Sequence, residues 1–100
     1  MRELGREGEV ASGVARNTER IDSLSKTAAY RIPDGLSKTA LSEVKNAGKL
    51  SYTSQLRDFA AWAGQEGLQF DLIVRQSTRL SRPLQAAIDA GEINLIRGLR

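Results

Sequence analysis

Hydrophobic positions along this chain change their period several times, and each change predicts an element. From about Arg2 to Ala15, Leu4, Val10, Ala11 and Val14 recur among good helix formers, which predicts a first helix in spite of Gly5, Gly8 and Gly13. Three short extended segments follow: Glu19 to Asp22, Ala28 to Pro33, and Thr39 to Lys45. The breaks between them, Ser23-Leu24-Ser25-Lys26 and Asp34-Gly35-Leu36-Ser37, are rich in turn formers, so the stretch reads as an antiparallel meander. Asn46 to Tyr52 is a polar loop, and Thr53 or Ser51 can cap the helix behind it. Leu56, Phe59, Ala60 and Ala63 recur at the spacing of a buried helical face, which Gly64 and Gly67 end. Phe70, Leu72 and Val74 then alternate with Asp71, Ile73 and Arg75, predicting a fourth strand. Ser81 and Pro83 open a last helix with Leu84, Ala87 and Ile88 on its buried face; it stops near Gly91, before an extended tail through Ile93 and Leu95.

The resulting order is helix, three strands, helix, strand, helix, with a short strand at the end: an α+β chain with a mixed sheet. With 100 residues, the chain supports one core and one domain, residues 1–100, and no repeat, low-complexity tract or linker divides it. The N-terminal end is compatible with the cut edge of a longer protein.

Composition narrows the chemistry. The chain has neither cysteine nor histidine, which removes disulfides and every mechanism that needs a thiolate or an imidazole. Any catalysis falls to carboxylates, lysine, arginine, hydroxyls or a metal held by oxygen. A formal charge of +3 is a weak pointer to a polyanionic partner. No apolar stretch approaches the roughly 20 residues of a membrane span, and Met1 to Ser12 is too charged for a secretory signal.

Within the third extended segment, strand periodicity puts Leu41, Glu43 and Lys45 on one side and Ala40, Ser42 and Val44 on the other. Pro33-Asp34 ends the preceding segment, so antiparallel pairing would carry the Asp34 carboxylate towards Glu43. Two carboxylates at close range repel unless a cation separates them, and a hard divalent ion such as magnesium favours oxygen ligands. A metal held there, with Lys45 beside it, is sufficient apparatus for phosphodiester hydrolysis without histidine. Of twelve acidic residues only Glu43 is followed two places later by lysine, and with four lysines chance supplies about half such a match. The weight of the triplet therefore lies in its position, after a Pro-Asp turn and before a helix. The alternative is a solvated cross-strand ion pair of Glu43 and Lys45 beside a turn aspartate.

Arg31-Ile32-Pro33-Asp34-Gly35, followed by Leu41-Ser42-Glu43-Val44-Lys45-Asn46, resembles the signature of the PD-(D/E)xK nucleases, and the element order is similar to their restriction-endonuclease core. The chain from Gly5 to roughly Ile93 resembles, more narrowly, the restriction-endonuclease-fold toxin domains at the C-terminal ends of bacterial polymorphic and contact-dependent inhibition toxins. That resemblance implies that Asp34, Glu43 and the Val44 carbonyl hold a divalent metal, with magnesium the expected ion, and that Lys45 is the catalytic lysine. It also implies supporting roles for an acid on the first helix, Glu9, and for a glutamine on the helix after the lysine strand, Gln55; Glu3 and Glu7 compete with Glu9. It further implies a DNA or tRNA substrate, delivery from a secreted or cell-surface parent into the cytoplasm of a target bacterium, and a cognate immunity protein.

Arg75, Thr78, Arg79 and Arg82 crowd the segment between the last clear strand and the last helix, where they are candidates for holding substrate phosphates, and Lys38, Asn46 and Lys49 border the site in sequence. Exposed arginines at a strand end more often serve solubility alone. Trp62 reads as a flank packing position, and Tyr30 and Phe70 as core. Two rival functions remain open at this stage: a DNA-processing nuclease for repair or restriction, and a non-catalytic binding domain on the same fold.

Overall fold

A computed structural model describes residues 16–99. The predicted first helix, and Glu9 with it, lie outside the described residues. Strands β1 (Gly35–Leu36), β2 (Ala40–Lys45), β4 (Gln69–Arg75) and β6 (Asn94–Leu99) form one sheet in the order β1-β2-β4-β6. β1 runs antiparallel to β2, whereas β2, β4 and β6 are mutually parallel. Parallel neighbours need a crossover, and the two helices supply it: α1 (Ser54–Glu66) lies between β2 and β4, and α2 (Arg82–Asp89) between β4 and β6. A second, two-stranded parallel ladder joins β3 (Lys49–Leu50) to β5 (Arg79–Leu80).

The helices start and stop where the chain dictates. The Thr53 side chain accepts the Leu56 N–H at the start of α1, and Gly67 ends it at φ 71°, a left-handed conformation that costs a glycine least. Ser81 caps α2 in the same manner, with Pro83 in its first turn. Leu56, Phe59 and Ala63 bury one face of α1, and Leu84 and Ala87 one face of α2, into a core they share with Leu41, Phe70, Leu72, Val74 and Ile93. The Phe59 ring meets Phe70 edge-on at 6.0 Å. β4, central in the sheet, buries Ile73 as well as Leu72 and Val74, as a parallel strand covered on both faces does.

Three expectations are corrected. The first two strands of the meander shrink to a single bridge between Ile21 and Arg31, and the Asp34-Gly35-Leu36 turn instead carries β1. The cause is tertiary: Ser23, Ser25 and Arg31 direct their polar groups to Asp58 on α1, which draws the segment off the sheet and onto the helix. Tyr30 is not core; it is 45% exposed, with the Arg20 guanidinium 4.5 Å above its ring. The polar stretch 46–52 is not wholly loop, since it contains β3. Trp62 is half-buried against the core, in keeping with its flank position, and Phe70 is buried. No described helix is long and apolar enough to cross a membrane.

Candidate active site

Register places the site. β1 pairs with β2 through Gly35–Ser42 and Leu36–Leu41, so one step further along the same ladder Asp34 comes opposite Glu43. The two residues exchange contacts that are not those of a regular ladder. The Asp34 N–H donates to Glu43 Oε1 at 3.1 Å, and the Val44 N–H donates to Asp34 Oδ2 at 2.8 Å. Each carboxylate is thus held by the other strand's backbone, which fixes its orientation through charge-assisted bonds.

Lys45 follows on the same side of β2 as Glu43. Its Nζ lies 3.2 Å from Glu43 Oε2 and donates to Gln55 Oε1 at 2.6 Å. Gln55 occupies the first turn of α1, so the crossover that makes β2 and β4 parallel also brings this amide over the lysine. Val44, Asp34, Glu43, Lys45 and Gln55 form one continuous hydrogen-bonded chain running from strand to helix. Four of the five proposed catalytic side chains are brought together; the fifth, Glu9, is outside the described residues.

Glu43 is 4% exposed, so the ion pair it makes with the 27% exposed Lys45 is largely withdrawn from solvent on the carboxylate side. Burial pushes its carboxyl up, and the neighbouring Asp34 charge adds to this, while Lys45 and the Asp34 N–H pull it down; the outcome is a group raised from 4.5 to about 7. The lysine therefore offsets only part of what burial, and after it the Asp34 charge, add. Among the described residues no cluster of three or more acidic or other metal-ligating side chains occurs. Two carboxylates and a backbone carbonyl nevertheless suit a hard ion such as magnesium, which commonly takes one or two carboxylates and keeps several waters. Among the described residues, Asp34 Oδ2 accepts from the Val44 N–H and Oδ1 accepts no hydrogen bond.

Of the candidate phosphate ligands, Arg75, Arg79 and Lys49 lie at or just beyond the C-terminal ends of β4 and β2, the end at which Lys45 sits. Arg75, at the end of β4, donates from Nε to Asn46 Oδ1 at 2.6 Å, immediately beyond Lys45. Lys49 and Arg79 are Cα partners in the small ladder, and both are exposed. Arg82 is exposed at the start of α2, and Lys38 lies at the opposite end of β2, away from the others. Thr78 is corrected: at 3% exposure its hydroxyl accepts from the Arg75 N–H and donates to Ala47 O, so it shapes the turn and cannot face a phosphate. Arg97, unflagged in the sequence, clamps that turn by donating from Nη1 to the carbonyls of Arg75, Gln76 and Thr78. Asp58 belongs to no motif in the sequence; only its place one turn after Gln55, on the buried side of α1, hints at it.

With Glu43 raised, the folded protein keeps a proton between about pH 4.5 and 7 that the unfolded chain has released, so stability falls as pH rises through that window. We predict that in EDTA the wild type loses on the order of 3 kcal/mol relative to Glu43→Gln between pH 4.5 and 8. Urea unfolding of both proteins across that range measures it, and parallel pH profiles would refute the assignment of the titration to Glu43.

Comparison with curated proteins and with solved structures finds no match. A family model does match, over residues 5–84, which takes in β1 to β5, α1, the start of α2 and the whole chain of contacts from Asp34 to Gln55. The mixed sheet with its crossover helices is the restriction-endonuclease-like arrangement that this match implies. On that span, most of its length, the chain belongs to the restriction endonuclease fold toxin 7 family.

Proposed function

We propose that this chain is a divalent-metal-dependent nuclease, the toxic part of a larger secreted or cell-surface protein, which cleaves DNA or tRNA in the cytoplasm of competing bacteria and is neutralised by a cognate immunity protein. The observation that carries the reading is the buried Glu43 carboxylate, set beside Asp34 and incompletely balanced by Lys45. A binding domain has no use for a buried charge that lowers its own stability; a metal-dependent active site does.

Asp34, Glu43 and the Val44 carbonyl would hold the ion. When bound, a divalent metal, magnesium on this reading, polarises a phosphoryl oxygen and makes water a better nucleophile. Lys45 is held at a fixed angle by Gln55 and Glu43, so its ammonium presents a preorganised donor to the charge that develops on the phosphate. Gln55 touches the lysine and so acts on its orientation. Arg75, Arg79 and Lys49 form a basic rim beyond Lys45 suited to the phosphates flanking the scissile bond.

Digestion of plasmid DNA and of total tRNA, each with and without EDTA, tests the reading and identifies the substrate. Cleavage should require the metal and should fall by at least about a thousandfold in Asp34→Ala, Glu43→Ala and Lys45→Ala, with Gln55→Ala reduced by roughly tenfold. A folded Glu43→Ala protein that still cleaves would contradict it. For the basic rim, Arg75→Ala, Arg79→Ala and Lys49→Ala should each weaken binding and lower the slope of log affinity against log salt by about one. Slopes equal to wild type would show that these residues do not meet phosphate.

A further inference from the structure

Besides Glu43, one other carboxylate is buried among the described residues: Asp58, 1% exposed, one turn beyond Gln55 on α1. Its Oδ2 accepts from Ser23 Oγ at 2.6 Å and Arg31 Nε at 3.0 Å, and its Oδ1 from the Ser25 N–H at 2.8 Å. Arg31 donates a further bond from Nη2 to Thr27 Oγ1. Burial pushes the Asp58 carboxyl up, but the bonds from Ser23, Ser25 and Arg31 outweigh it and hold the group down at about 2, so it stays ionised throughout the neutral range.

Buried ion pairs are weak devices for stability, because desolvation takes back most of what attraction gives; their best-attested use is to fix the register of one segment against another. Here the fixed segment is the one that ends in Asp34. Arg31 exchanges both backbone hydrogen bonds with Ile21, at 2.8 and 2.9 Å. Closer to the site, the Asn17 N–H donates to Asp34 O at 2.8 Å and Asn17 Nδ2 donates to Pro33 O at 3.0 Å. The two runs, 17–23 and 31–34, therefore make an irregular arm. Asp58 pins one end of it to α1, and the other end delivers Asp34 to β2. Beyond Asp34 the described residues are tied to β2 by the two residues of β1 and by the tight turn in which Ser37 bonds Ala40, too short a ladder to set the arm's position alone.

We infer that Asp58, acting through Arg31 and the Ser23–Ser25 turn, is a positioning residue that holds Asp34 against Glu43 and Val44. One helix then sets both halves of the site: Gln55 orients Lys45, and three residues later Asp58 places the aspartate arm. Ile21 and Pro33 are buried and keep the arm attached by apolar contact, so the network governs where the arm sits more than whether the chain folds.

The consequence for catalysis rests on the nuclease reading above, whereas the placement of Asp34 does not, and the test separates the two. Asp58→Asn keeps the side chain's size but turns one acceptor towards the donors of Ser23, Ser25 and Arg31; Ser23→Ala is a milder variant that removes one bond. Amide hydrogen exchange is read at Val44, whose N–H is held by Asp34 Oδ2, against Leu72 at the centre of the sheet. In Asp58→Asn, Val44 should exchange at least about tenfold faster relative to Leu72, with a smaller change of the same sign in Ser23→Ala. In the same Asp58→Asn protein, kcat should fall roughly ten- to a hundredfold with KM nearly unchanged, as expected of a misplaced catalytic group. Val44 exchange that moves only in step with Leu72 in both variants would overturn the proposal and leave Asp58 a stabilising residue. A wild type that cleaves nothing would remove the nuclease reading, while the exchange ratio would still decide the role of Asp58.

Discussion

The structure turns on the meeting of two carboxylates, Asp34 and Glu43, across the β1–β2 pairing, with a single ammonium beside them. Burying Glu43 at this point works against folding, because desolvation and the Asp34 charge both resist ionisation. What keeps the arrangement in place is backbone: the N–H of Asp34 and the N–H of Val44 each bind the other strand's carboxylate, so neither acid can swing away without breaking a charge-assisted bond. The rest of the described fold supports that junction. β2 is held on its other side by parallel pairing with β4, α1 sits over it and returns Gln55 to Lys45, and the arm from Asn17 to Pro33 brings Asp34 up to it.

Much of this was legible in the chain, for identifiable reasons. α1, β4 and α2 appear as expected because each carries a clear apolar period, and the helices have cap candidates beside it, of which the structure uses Thr53, not Ser51, with Gly67 for α1 and Ser81 with Pro83 for α2; β2 stands out by its strand alternation. The side of β2 that holds Glu43 and Lys45 follows from a two-residue period that tertiary structure leaves intact. The convergence of Asp34 with Glu43 needed only a short connection and the antiparallel sense of β1.

The misses share a cause: they depend on polar contacts across long sequence distances. Ile21 to Pro33 has the apolar content of two strands, yet Asp58, 27 residues beyond Arg31 and 35 beyond Ser23, captures its polar groups, and tertiary hydrogen bonding overrides β propensity. Tyr30 has the residue type of a core position, but Arg31 is the residue directed inwards, which leaves its neighbours Tyr30 and Ile32 outside. Thr78 and Arg97 sit among candidate phosphate ligands, while their hydrogen bonds fold the turn that presents Arg75. Nothing in local composition separates a basic residue that binds substrate from one that caps a turn.

Calorimetric titration of the metal-free protein with Mn2+, a hard divalent ion, bears most directly on the junction of Asp34 and Glu43. With Glu43 titrating at about 7, binding should be saturable at one ion per chain. It should release close to one proton at pH 6 and close to none at pH 8.5, and it should weaken at least about tenfold in Glu43→Gln. Absence of binding to the folded wild type, or equal affinity and proton release in Glu43→Gln, would contradict it.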